Sequence, residues 1–183
     1  VSVLSPGSIS TDLTVKEVTA PSSYTVGDEV SLSWTIQNGD LYAAVGDLKD
    51  AVYLSKDEEW DMSDMLVGTV SGSVSIQPGE SVKRTATGII NSVTPGSYYV
   101  IIRTNQLNAI KETDYTNNAA TAAVVCKVGF HDLAVGSSVT VDGQGFFKLT
   151  AEPGESLLLH LEADGTEKGF SLFTAHDKVA TVT

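Results

Sequence analysis

The chain has 183 residues, 42% of them hydrophobic, and 23 acidic against 11 basic side chains give it a net charge of −12. That length suits one or two domains with a packed core. The acidity excludes nucleic acid as a partner, because phosphate binding takes a basic surface. A single cysteine, Cys126, excludes an intrachain disulfide, and no run of about 18 apolar residues is present to span a membrane.

Val1 to Ser10 is a lead-in broken by Pro6-Gly7, a linker or a short edge strand. The chain opens on Val1 rather than Met, which reads as a mature product or an excerpt. Asp12 to Val18 alternates weakly and predicts a first strand, and Pro21 to Gly27 a turn. Asp28 to Gln37 alternates cleanly: Val30, Leu32, Trp34 and Ile36 face one way, and Ser31, Ser33, Thr35 and Gln37 the other. Period two with one apolar face is a strand lying on a core. Asn38 to Lys49, punctuated by Gly39 and Gly46, predicts a loop. Short strands follow at Ala51 to Leu54, Met65 to Val70 and Glu80 to Thr87, separated by an acidic loop and the turn Gln77-Pro78-Gly79.

Pro95-Gly96 starts the stretch around which the other strands are arranged. Tyr98 to Ile102 is uncharged, aromatic or β-branched throughout, and reads as a central strand covered on both faces. A polar loop from Asn105 to Asn118 follows it. Ala119 to Val128 closes the set, with Ala122, Val124, Cys126 and Val128 on one face and Cys126 as a small buried hydrophobe. About seven strands with turns between them predict an all-β fold, a seven-stranded antiparallel sandwich of immunoglobulin-like type.

Residues 129–136 read as a junction. Beyond it Val139 to Val141, Gly145 to Leu149, Ser156 to Glu162 and Gly169 to Phe173 predict strands of a second, small β unit over 137–183. Leu157, Leu159 and Leu161 share a face there, with His160 opposite.

Asp12-Leu13, Trp34, Asp50-Ala51-Val52-Tyr53-Leu54-Ser55 with Asp57, Leu66-Val67-Gly68, Pro78-Gly79, Gly96-Ser97-Tyr98-Tyr99, and Glu112 followed by Asn117-Asn118 stand in this order along 11–128. Together they resemble CARDB, the cell-adhesion-related domain found in bacteria. The resemblance implies a seven-stranded sandwich in a large secreted or surface protein, often arrayed with other modules. Gly145-Phe146-Phe147-Lys148-Leu149, Pro153-Gly154-Glu155-Ser156-Leu157 and Phe170-Ser171-Leu172-Phe173 resemble the opening of a bacterial pre-peptidase C-terminal domain, which implies a jelly-roll-like unit.

The loop Lys56 to Asp64 concentrates acids, and carboxylates in one loop can supply several of the oxygens calcium takes. Asp57, Asp61 and Asp64 are the candidate ligands; the alternative is a solvated acidic loop. Trp60 is the candidate anchor for a carbohydrate or protein partner, or else a lid on the sandwich edge. Glu112, Asn117 and Asn118 either complete a metal or ligand site or bond loop backbone ahead of the last strand. His131, His160 and His176 lie in no catalytic pattern, and no nucleophile–base pair stands out, so no enzyme activity is expected. The expected function is a non-catalytic structural or adhesion module of an extracellular or cell-surface prokaryotic protein. Its partners would be other surface modules or copies of itself. The alternatives are a calcium- or carbohydrate-binding module, or a fibre subunit in which Val1 to Leu4 completes the second unit of a neighbour.

Overall fold

The computed structural model describes residues 11–91, 93–141, 144–162 and 171–175. The lead-in 1–10, with its Val1 to Leu4 segment, lies outside the described residues, as do Gly169-Phe170 and His176. Strands make up the regular structure, with no helix among the described residues. The chain divides after Gly129 into two units.

In the first unit, alternation in 29–38 becomes β3 (Glu29–Asn38), which lies between β1 (Leu13–Thr19) and β6 (Ser81–Ile89) in a three-stranded antiparallel sheet. The facing sheet runs β2 (Ser23–Thr25), β9 (Cys126–Gly129), β7 (Gly96–Arg103), β4 (Ala44–Ser55), β5 (Met65–Ile76), with β8 (Ala119–Thr121) also paired to β7. As its composition requires, β7 is interior to its sheet: Val100, Ile101 and Ile102 are buried. Trp34, Leu13, Ile36, Leu48, Val52 and Ile102 are among the fully buried side chains. Taking these apolar groups out of water contributes about 1.5–3 kcal/mol each.

The first unit departs from the sequence reading in several places, and the strand expected over Met65 to Val70 runs on to Ile76. Residues expected as loop begin β4 at Ala44. Gly46, at φ 150°, stands within the strand because the Ile110 side chain packs where its Cβ would be, 3.4 Å away. The expected turn 21–27 holds β2, which pairs with β9 in parallel, so the facing sheet is mixed. The expected last strand is two: β8 pairs with Ile101–Arg103 and β9 with Gly96–Tyr98. Between them the chain leaves the ladder, and Val124 is exposed while Ala122, Cys126 and Val128 are buried.

In the second unit β10 (His131–Leu133) pairs in parallel with β11 (Phe147–Leu149). The Phe130 and Phe146 rings stack at 6.2 Å, and a methyl on Gly145 would meet the Phe147 ring at 2.7 Å. Residues 131–133, expected as junction, are therefore strand. Those expected as strands at 139–141, 156–162 and 171–173 are not in strands. The alternation of Leu157, Leu159 and Leu161 finds no partner strand among the described residues: all three are exposed, and Leu158 is 92% exposed. A period-two pattern makes a strand only where a neighbour takes up its backbone groups.

Candidate functional site

Three groups of polar residues have the density to act chemically: a buried acid between the sheets, a buried acid at one end of the sandwich, and the acidic loop.

The first is Asp50 on β4, with no exposed surface. Its Oδ2 accepts from Arg84 Nε at 2.9 Å and from Trp34 Nε1 at 3.2 Å, and its Oδ1 accepts from Thr104 Oγ1 at 2.6 Å. Trp34 and Arg84 belong to the three-stranded sheet, so this carboxylate ties one sheet to the other. Arg84 also donates from Nη2 to the Val70 carbonyl at 3.2 Å, reaching from β6 to β5. Burial pushes the Asp50 pKa above its ordinary value, against the opposing pull of Thr104, Arg84 and Trp34.

The second is Glu112. Its Oε2 accepts from the Leu13 amide at 2.7 Å, and its Oε1 from the side-chain amides of Asn105 and Asn118, the latter at 2.8 Å. Asn105 sits at φ 46°, a backbone state that Asn tolerates better than most residues, and exchanges bonds with both backbone groups of Ile110. Beside it the Thr113 amide donates to the Thr11 carbonyl at 2.8 Å, and Asn117 Nδ2 donates to Asp12 Oδ1 at 2.9 Å. Burial is again the larger influence and raises the Glu112 pKa. Of the two roles open to Glu112, Asn117 and Asn118, the bonds fit the structural one, with a correction. Glu112 and Asn117 hold the start of the first strand, 99 residues away for the bond to Leu13, rather than the approach to the last.

The third is the loop after β4, which does not bring its acids together. Asp57 Oδ1 accepts from the Glu59 amide, Asp64 Oδ2 from the Asp61 amide, and Asp61 Oδ1 from both the amide and the hydroxyl of Ser63. The Ser63 bonds hold the Asp61 carboxyl below its ordinary pKa. Each of the three carboxylates proposed as calcium ligands thus closes a short backbone turn, the habit of Asp in loops. Among the described residues no group of three or more His, Cys, Asp or Glu is arranged to hold a metal. Trp60 is half-buried, not an exposed anchor: it packs on Ala51, Tyr53 and Ile101, with its ring edge-on to Tyr53 at 5.8 Å. The Arg103 guanidinium lies 4.0 Å from the Trp60 ring centre. The indole Nε1 is buried without a hydrogen-bond partner.

A groove of about 330 Å³ opens between β5 and β6, floored by Val30, Leu32 and Val52 and rimmed by Val67, Thr85 and Ile89. None of its lining residues titrates, so it offers neither acid nor base. Cys126 is buried, and burial raises its pKa away from the thiolate. Sequence reasoning missed the Asp50 centre, because an acid opening an apolar strand reads as an exposed strand end. The signal available was Arg84 and Trp34, each on the inward register of its own strand.

The CARDB family model matches residues 10–122, more than half of the chain. The chain belongs to the CARDB family. Among solved structures, the CARDB domain of a Pyrococcus furiosus protein, crystallised in complex with di-metal ions, is 21% identical with a TM-score of 0.48, over 66% of this chain and 96% of that one. A domain of a "putative cell surface protein" from Methanosarcina acetivorans is 17% identical with a TM-score of 0.48, over 67% of this chain and 96% of that one. A β-glucosidase from Listeria innocua is 14% identical with a TM-score of 0.42, over 66% of this chain but only 16% of its own. No curated protein matches. The matched residues of the CARDB domain include both buried acids and end before β9.

Proposed function

We propose that this chain supplies a non-catalytic structural module to an extracellular or cell-surface protein, where it spaces or presents neighbouring modules. The observation that carries the reading is the use made of its reactive groups. Asp50 and Glu112, the buried carboxylates, each accept three hydrogen bonds: those to Asp50 join the two sheets, and those to Glu112 tie its own loop to the start of the first strand. The groove, for its part, is lined without titratable groups. Catalysis needs such groups unspent and facing a substrate. No described helix is long and apolar enough to cross a membrane. Antibodies raised against the chain should label intact, unpermeabilised cells of its source or its culture medium. Labelling only after permeabilisation would overturn the location.

The calcium-binding alternative requires Asp57, Asp61 and Asp64 to give up their backbone turns and converge. It predicts that millimolar calcium raises the melting temperature, since an ion that binds only the folded state stabilises it, and that Asp61→Asn abolishes the gain. An unchanged melting temperature removes this reading. We also propose that 137–183 is the opening of a pre-peptidase C-terminal-like domain, a reading supported by the Gly145 to Leu149 motif in which β11 lies.

A further inference from the structure

We infer that the first unit is a load-bearing link, built so that pulling on its two ends shears its strands past one another. The inference rests on the spacer reading above and adds the direction of load. Register fixes where the chain enters and leaves. Leu13, at the start of β1, lies opposite Asn38, and Thr11 bridges to Glu112, at the pole holding the 77–79 turn and the 105–118 loop. Val128 lies opposite Gly96, at the far end of β7 from Arg103. The chain therefore enters the sandwich at one pole and leaves it at the other.

β2, the second strand from the amino end, pairs in parallel with β9, the last strand of the unit. Ser23 stands opposite Lys127, Tyr24 opposite Val128 and Thr25 opposite Gly129. The Lys127 amide donates to the Ser22 carbonyl and the Val26 amide to the Gly129 carbonyl, each at 2.9 Å. Traction toward the entering pole draws β1 along β3, and β2 along β9. Traction on the other end draws β9 the opposite way. The ladder bonds lie across that direction, so they are strained together instead of opening one after another. The groups at Thr11 are loaded first: its amide donates to the Lys111 carbonyl, and its carbonyl accepts from the Thr113 amide, again in parallel sense.

Single-molecule pulling on the full chain tests this, because forced unfolding reads the unfolding rate under load. The stretch from Thr11 to Gly129 is recognised by a released length of about 400 Å, at roughly 3.5 Å per residue. Pulled end to end, it should rupture at a force several-fold above that needed between the amino end and a cysteine placed by Gln77→Cys. That position shares the entering pole, so the same strands are peeled apart. Val26→Pro deletes one bond of the parallel pair; it should lower the end-to-end force and leave the peeling force unchanged. Equal forces in the two geometries overturn the inference, as does an end-to-end force that Val26→Pro leaves unaltered. Should the proline variant not fold, the comparison of geometries in the native sequence decides alone. A weak end-to-end link would leave the spacer reading intact, since that stands or falls on surface labelling.

Discussion

The acidic loop and the sandwich interior treat the same functional group in opposite ways. At Asp57, Asp61 and Asp64 the carboxylates are crowded in sequence, yet each is spent on an amide within three residues of itself. At Asp50 and Glu112 the carboxylates are buried: Asp50 gathers donors 16, 34 and 54 residues away, and Glu112 joins its own loop to the Leu13 amide, 99 residues away. Local density of charge therefore says little about structural consequence; what counts is how far away in the chain the partners lie and whether water can replace them.

The hardest test of that contrast is Asp50→Ala. It strands the Arg84 guanidinium and the Trp34 N–H between the sheets, and breaking a buried pair by removing one partner destabilises by about 3–5 kcal/mol. Denaturant titration should show a loss of that order; a loss under about 1 kcal/mol would mean that water reaches the pair. Glu112→Gln is smaller. It turns one acceptor into a donor facing donors, leaving a buried amide unsatisfied, for about 1–3 kcal/mol.

The pH response sharpens the comparison further. A carboxylate whose folded pKa is raised binds more protons native than unfolded. Its contribution is present below the ordinary value, 4.5 for Glu112, and is lost as pH rises through the raised one. The stability advantage of the native chain over Glu112→Gln should therefore narrow as pH climbs from about 4.5 toward neutrality. Asp61 has the opposite sign: its lowered pKa gives a contribution present above 3.8 and lost on acidification. Asp61→Asn is the smallest effect, a loss well below that of either buried acid at neutral pH, as for surface changes generally. A loss matching that of Asp50→Ala would erase the distinction between loop and interior.

The sandwich was legible where a single residue type decides a strand face. Trp34 in its alternating stripe lies in the core as read, and so do Tyr98 and 100–102 of the uncharged run, with Tyr99 half-buried. The first half of β4 was not legible, because Gly46 and Asp47 look like loop residues until Ile110 is seen packing over the glycine. Nor was β2, three residues whose only reason for being a strand is the distant β9. The Glu112 cluster was visible as a group of residues, but its partner was not, since nothing in a local pattern marks the Leu13 amide as the group in need. In the second unit, the leucines at 157–161 alternate as a strand should. Alternation records which side is apolar, and it cannot supply the neighbour that pairing requires.

The bond from Leu13 to Glu112 also has a consequence in time. It spans 99 positions, and β2 waits on a partner that lies later still in the chain. A ribosome adding about 5–20 residues per second delivers Glu112 some 5–20 s after Leu13. Over that interval the amino-terminal strands have neither their acid nor their parallel partner, and contacts so distant are slow to close even once both ends exist. A chain held open by its own topology until synthesis is nearly past it stays threadable for longer than a helical module of the same size. In such a chain, any export machinery that handles unfolded polypeptide meets a substrate already in the required state.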